Sequence, residues 1–208
     1  MGVKLNTETP TVFMIDDDED VLDYIKTLLV SMGFQVSTFT TAQQFLNQHQ
    51  PNQLGCLISD VMMPDITGLE LQDILIERGI HIPLILISGH GNIAMAKNSL
   101  KKGAMDFIEK PVNAIELVNS VQAAIERDAK LRKKYQEIDL IKSRLACLTP
   151  REREILDCLV AGDSNKHMAK NMNISLRTVE AHRNNILQKM HAHSLADLIR
   201  LLLAAPRV

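Results

Sequence analysis

The 208-residue chain has no run of 18 or more apolar residues, which argues against a membrane-spanning helix. Its three cysteines, Cys56, Cys147 and Cys158, are odd in number, far apart and set among apolar neighbours. That pattern argues against a disulfide framework or a zinc site and favours reduced thiols. Residues 1–10 contain no apolar signal core, so we expect a cytoplasmic protein that does not engage a membrane.

The net charge is only −2, but the charge is distributed unevenly along the chain. Residues 1–126 hold 7 Lys+Arg against 16 Asp+Glu, whereas residues 127–208 hold 16 against 9. An acidic front and a basic back indicate two domains with different partners. A basic module is compatible with a polyanion such as DNA.

Short β-rich runs alternate with helical patterns in the front part of the chain. The runs are Val12–Ile15, Val36–Phe39, Gly55–Ser59, Leu84–Ile87 and Asp106–Ile108. The helical patterns are Glu19–Ser31, Ala42–Gln48, Leu69–Glu77, Ile93–Lys101 and a long one from Asn113. Repeated βα units predict an α/β fold with a doubly wound parallel sheet that helices cover on both faces.

Polar side chains follow the apolar runs at the points where the predicted strands end. They are Asp16-Asp17, Asp60, Ser88 and Lys110. The carboxyl ends of parallel strands meet at one edge of a sheet, which is where ligands bind in such folds. Carboxylates suit Mg²⁺, with Asp17 and Asp60 as direct ligands and Asp16 binding through water. A carboxylate such as Asp60 can attack phosphorus to form an acyl phosphate, with Lys110 and Ser88 stabilising the phosphoryl oxygens.

A stretch from Asn113 to about Ala146 contains no Gly or Pro and predicts one extended helix. Its apolar residues follow a heptad-like seam that Asp128 and Lys142 interrupt. Two interpretations stay open from the sequence. One is a solvated connector helix, and the other is a parallel coiled-coil linker in a dimer.

From Leu148 onward the sequence shows no strand pattern. Four helices are predicted, at Arg151–Ala161, Asn165–Asn171, Leu176–Met190 and Ser194–Leu203. Thr149, followed by Pro150 and Glu152, is a good N-cap for the first of them. Four short helices with a tight link between the second and third predict a helix-turn-helix domain.

The front part resembles the receiver domain of two-component response regulators over roughly residues 11–126. The matching segments are Asp16-Asp17, Ser59–Gly68, Ser88–Gly91 and Lys110-Pro111. The resemblance implies a flavodoxin-like sheet of order 2-1-3-4-5 and a phosphoryl group accepted on Asp60 from a sensor histidine kinase. It implies Mg²⁺ held by Asp16, Asp17, Asp60 and the backbone carbonyl of Met62. It also implies a cis peptide bond before Pro111, and a switch in which Ser88 moves toward the phosphate while Phe107 turns inward.

The back part resembles LuxR-type helix-turn-helix domains over about residues 146–205. The matching segments are Leu148–Leu156, Gly162–Lys166 and Ile174–His182. The family pattern implies base contacts from Glu180, Ala181 and Asn184, although Glu180 also fits a surface acid without a base contact. Candidate phosphate contacts are Lys166, Arg177, Thr178, Arg183 and Lys189. We interpret residues 151–154 as a solvated face with internal ion pairs.

Together the two resemblances make the chain similar to FixJ/NarL-type transcription regulators, within that group most similar to the FixJ type. The expected domains are a receiver at 11–126, a helical linker at 127–146 and a DNA-binding domain at 147–208. Expected partners are a sensor kinase, promoter DNA, RNA polymerase if the chain activates transcription, and a second copy after phosphorylation. Dimerisation and relief of masking by the receiver both remain open as the activation step.

We expect no enzyme activity apart from self-catalysed phosphotransfer and slow self-dephosphorylation at Asp60. Two rival interpretations are weighed against this reading. One is a haloacid-dehalogenase-type phosphatase with Asp16 as nucleophile and Asp18 as acid, which leaves the segment after Asp60 unexplained. The other is a constitutive DNA-binding protein with a silent receiver, whose sign would be the loss of Asp60, Lys110 or Ser88.

Overall fold

The structure is a computed structural model that describes residues 9–50, 53–89 and 93–204. The chain divides into two compact units, residues 1–131 and 132–208, and the division falls inside one long helix. Within the described ranges, no helix combines the length and the apolar character needed to cross a membrane.

The first unit is a five-stranded parallel sheet in the order β2-β1-β3-β4-β5. The strands are β1 (Thr11–Ile15), β2 (Gln35–Phe39), β3 (Gly55–Asp60), β4 (Leu84–Ser88) and β5 (Asp106–Glu109). The helices are α1 (Glu19–Ser31), α2 (Ala42–Gln48), α3 (Gly68–Glu77), α4 (Ile93–Lys101) and α5 (Ala114–Ala146). The predicted doubly wound fold and its strand order are confirmed.

The central strands are buried on both faces, which explains their continuous apolar sequence. Alternate side chains enter two separate core clusters. Phe13 and Leu57 belong to one cluster, whereas Val12, Met14 and Ile58 belong to the other. The two clusters hold the sheet between its helix layers, and the strand ends consequently share one edge.

Capping residues fix the loops that follow β1 and β3. The Asp18 carboxylate accepts hydrogen bonds from the N–H groups of Asp20 and Val21, so it caps α1. Thr67 and Glu70 form a reciprocal capping box at the start of α3. These caps hold both loops beside the edge where the strands end.

Two glycines permit backbones to approach closely. A Cβ atom on Gly55 would lie 1.9 Å from the Thr11 carbonyl oxygen. A Cβ atom on Gly68 would lie 2.3 Å from the Asp60 carbonyl oxygen. Any other residue at either position would have to displace backbone, since neither neighbour is a flexible side chain.

The long helix α5 packs its first half on the sheet. Leu117, Val121 and Ala124 are fully buried there. Asp128, the acidic interruption of the predicted seam, is only 1% exposed. It ends the buried stripe, and its carboxylate accepts a hydrogen bond from the Gly55 N–H at 2.9 Å. Further along α5, Tyr135 is exposed, and pairing of this region in a dimer stays a prediction.

The described part of the second unit is entirely helical. Its helices after α5 are α6 (Pro150–Ala161), α7 (Asn165–Asn171), α8 (Leu176–Met190) and α9 (Leu195–Ala204). Thr149, Ser164 and Ser175 cap α6, α7 and α8. The core joins all four helices to the last turns of α5, where Ile141 is buried. This arrangement confirms the predicted small helical domain.

Candidate functional site

The carboxyl edge of the sheet brings together a lysine and two aspartates from three different strand ends. Lys110 Nζ lies 2.6 Å from Asp60 Oδ1 and 3.0 Å from Asp16 Oδ2. Asp60 is the last residue of β3, Asp16 follows β1 and Lys110 follows β5. The topology therefore creates an ion-paired cluster from residues as distant as 94 positions in sequence.

Asp60 is nearly fully buried, at 5% exposed, and it is held in one orientation. Its Oδ2 atom accepts a hydrogen bond from the Met62 N–H at 2.6 Å, while Oδ1 faces Lys110. The loop that supplies this N–H is closed by a hydrogen bond from Gly68 N–H to the Val61 carbonyl at 3.0 Å. A fixed carboxylate beside a cation is an arrangement that suits attack on phosphorus.

At Asp16 and Lys110, burial shifts the pKa in one direction and hydrogen bonds shift it in the other. Burial raises the pKa of Asp16, although hydrogen bonds from the Asp18 N–H and from Lys110 work in the opposite direction. Burial on its own would lower the pKa of Lys110, but its hydrogen bonds to Asp60 and Asp16 raise it above the usual value. Lys110 is therefore a permanent cation at neutral pH.

Asp17 is exposed and, among the described residues, takes part in no hydrogen bond or ion pair. The described residues also contain no group of three or more His, Cys, Asp or Glu side chains arranged to hold a metal ion. The Lys110 ammonium instead lies against the carboxylates of Asp16 and Asp60. The oxygen donors expected from the sequence are thus at one edge of the sheet, but among the described residues they do not form a preformed metal-coordination site.

Ser88 lies on β4, the neighbour of β3, and Phe107 lies on β5, the edge strand that pairs with β4. Ser88 is buried at the end of β4, and its carbonyl accepts a hydrogen bond from the Lys110 N–H at 2.9 Å. Phe107 is partly buried against a core cluster on β5. The peptide bond between Lys110 and Pro111 is cis, as the resemblance implies. His90, part of the Ser88–Gly91 segment that carries the receiver resemblance, lies outside the described residues.

A second candidate site is the exposed face of α8. Val179, Ile186 and Met190 are buried on one side of this helix. The residues on the opposite side are exposed, namely Arg177, Glu180, Ala181, Asn184 and Gln188. Lys166 is exposed on α7. The helical period therefore presents the predicted base-contacting side chains on one accessible face.

Three of the predicted phosphate contacts are engaged inside this unit. Lys189 Nζ lies 2.6 Å from Glu152 Oε2, and Arg183 donates to the Asn165 side-chain oxygen. Thr178 donates its N–H to the capping hydroxyl of Ser175 at 3.0 Å. The Lys189 and Arg183 contacts position α8 on α6 and α7, whereas the Thr178 contact forms the N-cap of α8 itself. Lys166 and Arg177 are the exposed members of the set.

Sequence reasoning missed the role of Glu152. We read it as part of a solvated face, but it is 3% exposed, so that reading is wrong. Its carboxylate accepts from the Thr149 N–H at 2.8 Å and from Lys189. The Thr-x-x-Glu spacing of a capping box was the signal that Glu152 turns back toward the helix start.

Comparison with known families finds a match for each of the two units. Residues 12–122 match the response regulator receiver domain, and residues 146–202 match the luxR family of bacterial regulatory proteins. The chain belongs to the response regulator family. This response regulator joins a receiver to a LuxR-type DNA-binding domain, which makes it a transcriptional regulator rather than a classical enzyme. The phosphatase interpretation is thereby overturned.

Relatives match this response regulator over nearly the whole chain. The transcriptional regulatory protein FixJ of Azorhizobium caulinodans is 40% identical over 198 residues, covering 95% of this chain and 94% of the relative. The response regulator protein TodT of Pseudomonas putida is 38% identical, covering 94% and 86%. The transcriptional regulatory protein TdiR of Thauera aromatica is 41% identical, covering 91% and 83%.

Solved structures agree with the same assignment. The response regulator StyR has a TM-score of 0.87 at 37% identity, covering 94% of this chain and 98% of that one. Full-length FixJ from B. japonicum has a TM-score of 0.58 at 37% identity, covering 95% and 98%. The FixJ/NarL-type assignment made from the sequence is confirmed.

Proposed function

We propose that Asp60 accepts a phosphoryl group from a sensor histidine kinase and that this step controls binding to promoter DNA. The observation that carries the proposal is the contact of Lys110 Nζ with Asp60 at 2.6 Å and with Asp16 at 3.0 Å. Asp60 is the carboxylate of this cluster that ends a central strand. The geometry thus supports Asp60 as the nucleophile.

The transfer forms one bond and breaks another. An Asp60 carboxylate oxygen bonds to phosphorus while the bond from phosphorus to the kinase imidazole nitrogen breaks, leaving its electron pair on that nitrogen. Lys110 offsets the charge on the phosphoryl oxygens, and the Ser88 hydroxyl donates a hydrogen bond to one of them. Slow hydrolysis of the acyl phosphate at Asp60 returns the receiver to its resting form.

The donor chemistry at this edge fits Mg²⁺. All candidate ligands offer oxygen, and Mg²⁺ usually takes one or two carboxylates while keeping several waters. The ligands we assign are Asp16, Asp17, Asp60 and the backbone carbonyl of Met62. When bound, the ion offsets the negative charge of carboxylates and phosphoryl oxygens. A site of this kind needs no closed cage of carboxylates, in keeping with the exposed Asp17.

The signal then passes from the receiver to DNA. Ser88 moves toward the phosphoryl group and Phe107 turns inward, which favours receiver dimerisation. We assign the receiver to residues 11–126, the linker to 127–146 and the DNA-binding domain to 147–208. The regulator would act in the cytoplasm, where the chromosome lies, and would engage RNA polymerase if it activates transcription.

The exposed face of α8 is the proposed reader of the major groove. Glu180, Ala181 and Asn184 are assigned to base contacts, and exposed Lys166 and Arg177 to phosphates. Thr178, Arg183 and Lys189 stay in the proposed interface. The contacts of Arg183 and Lys189 with α7 and α6 also position α8, and Thr178 also takes part in the α8 N-cap. The silent-receiver alternative is disfavoured because Asp60, Lys110 and Ser88 are all present.

The test is to incubate wild type, Asp60→Ala and Asp65→Ala with Mg²⁺ and acetyl phosphate and to measure intact mass. Asp65 is a matched control because it is exposed in the loop after β3. We expect one phosphoryl adduct on wild type and on Asp65→Ala and none on Asp60→Ala. Equal adducts on all three proteins, or adducts on none, would contradict the assignment of Asp60.

A further inference from the structure

Helix α5 carries a carboxylate that is sealed from solvent. Asp128 is 1% exposed, whereas its neighbours Arg127, Ala129 and Lys130 are exposed. Its Oδ2 atom accepts a hydrogen bond from the Gly55 N–H at 2.9 Å, across 73 residues of sequence. Burying a carboxylate is costly unless donors compensate it, so this contact is specific to the docked position of the helix.

Gly55 is the opposite end of the strand that carries the proposed phosphoacceptor. It begins β3, and Asp60 ends the same strand. Gly55 pairs in register with Thr11, and a Cβ atom there would lie 1.9 Å from the Thr11 carbonyl oxygen. The neighbouring Cys56 shows how dry the junction is, because burial and the nearby charge of Asp128 raise the pKa of its thiol to about 12.

Asp128 is also the last fully buried residue of α5 within the first unit. The helix continues without Gly or Pro to Ala146, through exposed residues that include Lys133 and Lys134. Ile141, on the same helix, belongs to the core of the second unit. One continuous helix therefore has a buried anchor in each unit.

We propose that Asp128 is a positioning residue that fastens α5 to the amino end of β3, so that the effect of phosphorylation at Asp60 reaches the DNA-binding unit along this continuous helix. This inference rests on the proposed function of Asp60. A merely structural Asp128 would stabilise the receiver without affecting the response of DNA binding to phosphorylation. The two roles therefore differ in one measurable quantity, the ratio of DNA affinities with and without the phosphoryl group.

The experiment compares full-length wild type, Asp128→Ala and Glu126→Ala, an exposed carboxylate on the same helix. The probe is a DNA duplex selected from a random library with phosphorylated wild-type protein. We expect Asp128→Ala to take the phosphoryl group normally, to lose hydrogen-exchange protection at Gly55, and to lower the affinity ratio by roughly fivefold or more. Glu126→Ala should match wild type. If Asp128→Ala lost hydrogen-exchange protection at Gly55 but kept the wild-type ratio of DNA affinities, the inference would be overturned.

A second pair of variants leaves the receiver core untouched and serves if Asp128→Ala does not fold. Lys133→Gly with Lys134→Gly weakens the helix after the anchor, whereas alanine at both positions preserves it. We expect the double glycine variant, but not the double alanine variant, to lower the affinity ratio. A wild-type affinity ratio in the double glycine variant would overturn the inference. Wild type that is phosphorylated without any change in affinity would overturn it and leave Asp60 as the acceptor. Wild type without an adduct would overturn both.

Discussion

The carboxylate of Glu152 ties α6 to α8 in the DNA-binding unit. It accepts hydrogen bonds from Lys189 Nζ at 2.6 Å and from the Thr149 N–H at 2.8 Å. These two donors lower the pKa of Glu152 below its ordinary value of 4.5. A lowered pKa in the folded state means that the contribution to stability is present above the ordinary pKa. That contribution is lost as the pH falls through the lowered value.

At this scale we predict that Lys189→Met destabilises the DNA-binding unit by about 1–3 kcal/mol, because the buried Glu152 carboxylate then loses its cationic partner. Scanning calorimetry of the full chain measures the loss. Adding Glu152→Gln should restore part of it, and Lys166→Met, which removes an exposed lysine, should cost almost nothing. Normal unfolding of Lys189→Met combined with weakened DNA binding would show instead that Lys189 serves mainly as a phosphate contact.

At the scale of elements, close approach between strands explains a glycine at the start of β3. Gly55 has no room for a side chain beside Thr11, whereas a Cβ atom on Gly89 would meet nothing closer than Lys110 Cδ at 3.9 Å. The two glycines therefore differ in the space available for a side chain. Gly55 is required by packing between two elements, and the space around Gly89 accommodates a methyl group.

We accordingly predict that Gly55→Ala destabilises the receiver by about 3 kcal/mol, at the upper end of overpacking costs. Gly89→Ala should leave stability close to that of wild type, which makes it the matched control. Thermal unfolding of the full chain followed by circular dichroism checks both. Similar melting of the two variants would mean that β1 and β3 can shift to accept the methyl group.

Helix α8, the proposed reader of the major groove, gives a second prediction at this scale. Asn184 and Asn185 are neighbouring exposed residues on different sides of this helix. Asn184 lies on the face with Arg177 and Gln188. Asn184→Ala should cost about 1–3 kcal/mol in discrimination against single-base changes in a selected duplex. Asn185→Ala should have little effect. Equal effects of both substitutions would argue against the assigned reading face.

At the scale of the whole molecule, charge divides the chain as its structure does. The 7 Lys+Arg and 16 Asp+Glu of residues 1–126 leave the receiver acidic, while residues 127–208 hold 16 and 9. One copy of a mildly basic domain binds DNA weakly, so two half-sites read by a dimer would raise the affinity. An acidic receiver is equally compatible with masking of the DNA-binding face.

We predict that acetyl phosphate and Mg²⁺ shift wild type from monomer to dimer in light scattering and leave Asp60→Ala monomeric. The physical reason is that the switch residues are expected to reshape the receiver surface only when Asp60 is phosphorylated. A phosphorylated protein that stays monomeric would contradict dimerisation. If that monomer also bound DNA more tightly, relief of masking would be the better account.

Much of the molecule could be predicted because its determinants are local in sequence. Apolar runs set the strands, caps such as Thr149 set the helix starts, and turn residues separate the elements. Parallel topology then required Asp16, Asp60 and Lys110 to meet at one edge of the sheet. Fold class, family and the composition of the candidate site all followed from these patterns.

The sequence by itself therefore determined the secondary structure, the order of the domains and which residues meet at the strand ends. Only the tertiary structure decided the roles of Asp128 and Glu152. Each looks like a surface acid on a helix, yet each is at least 97% buried and bound to groups that its own helix does not supply. The Thr-x-x-Glu spacing indicates the local contact of Glu152 with Thr149. The distant donors, Lys189 for Glu152 and Gly55 for Asp128, are specified by no local pattern, and burial of a carboxylate depends on such donors.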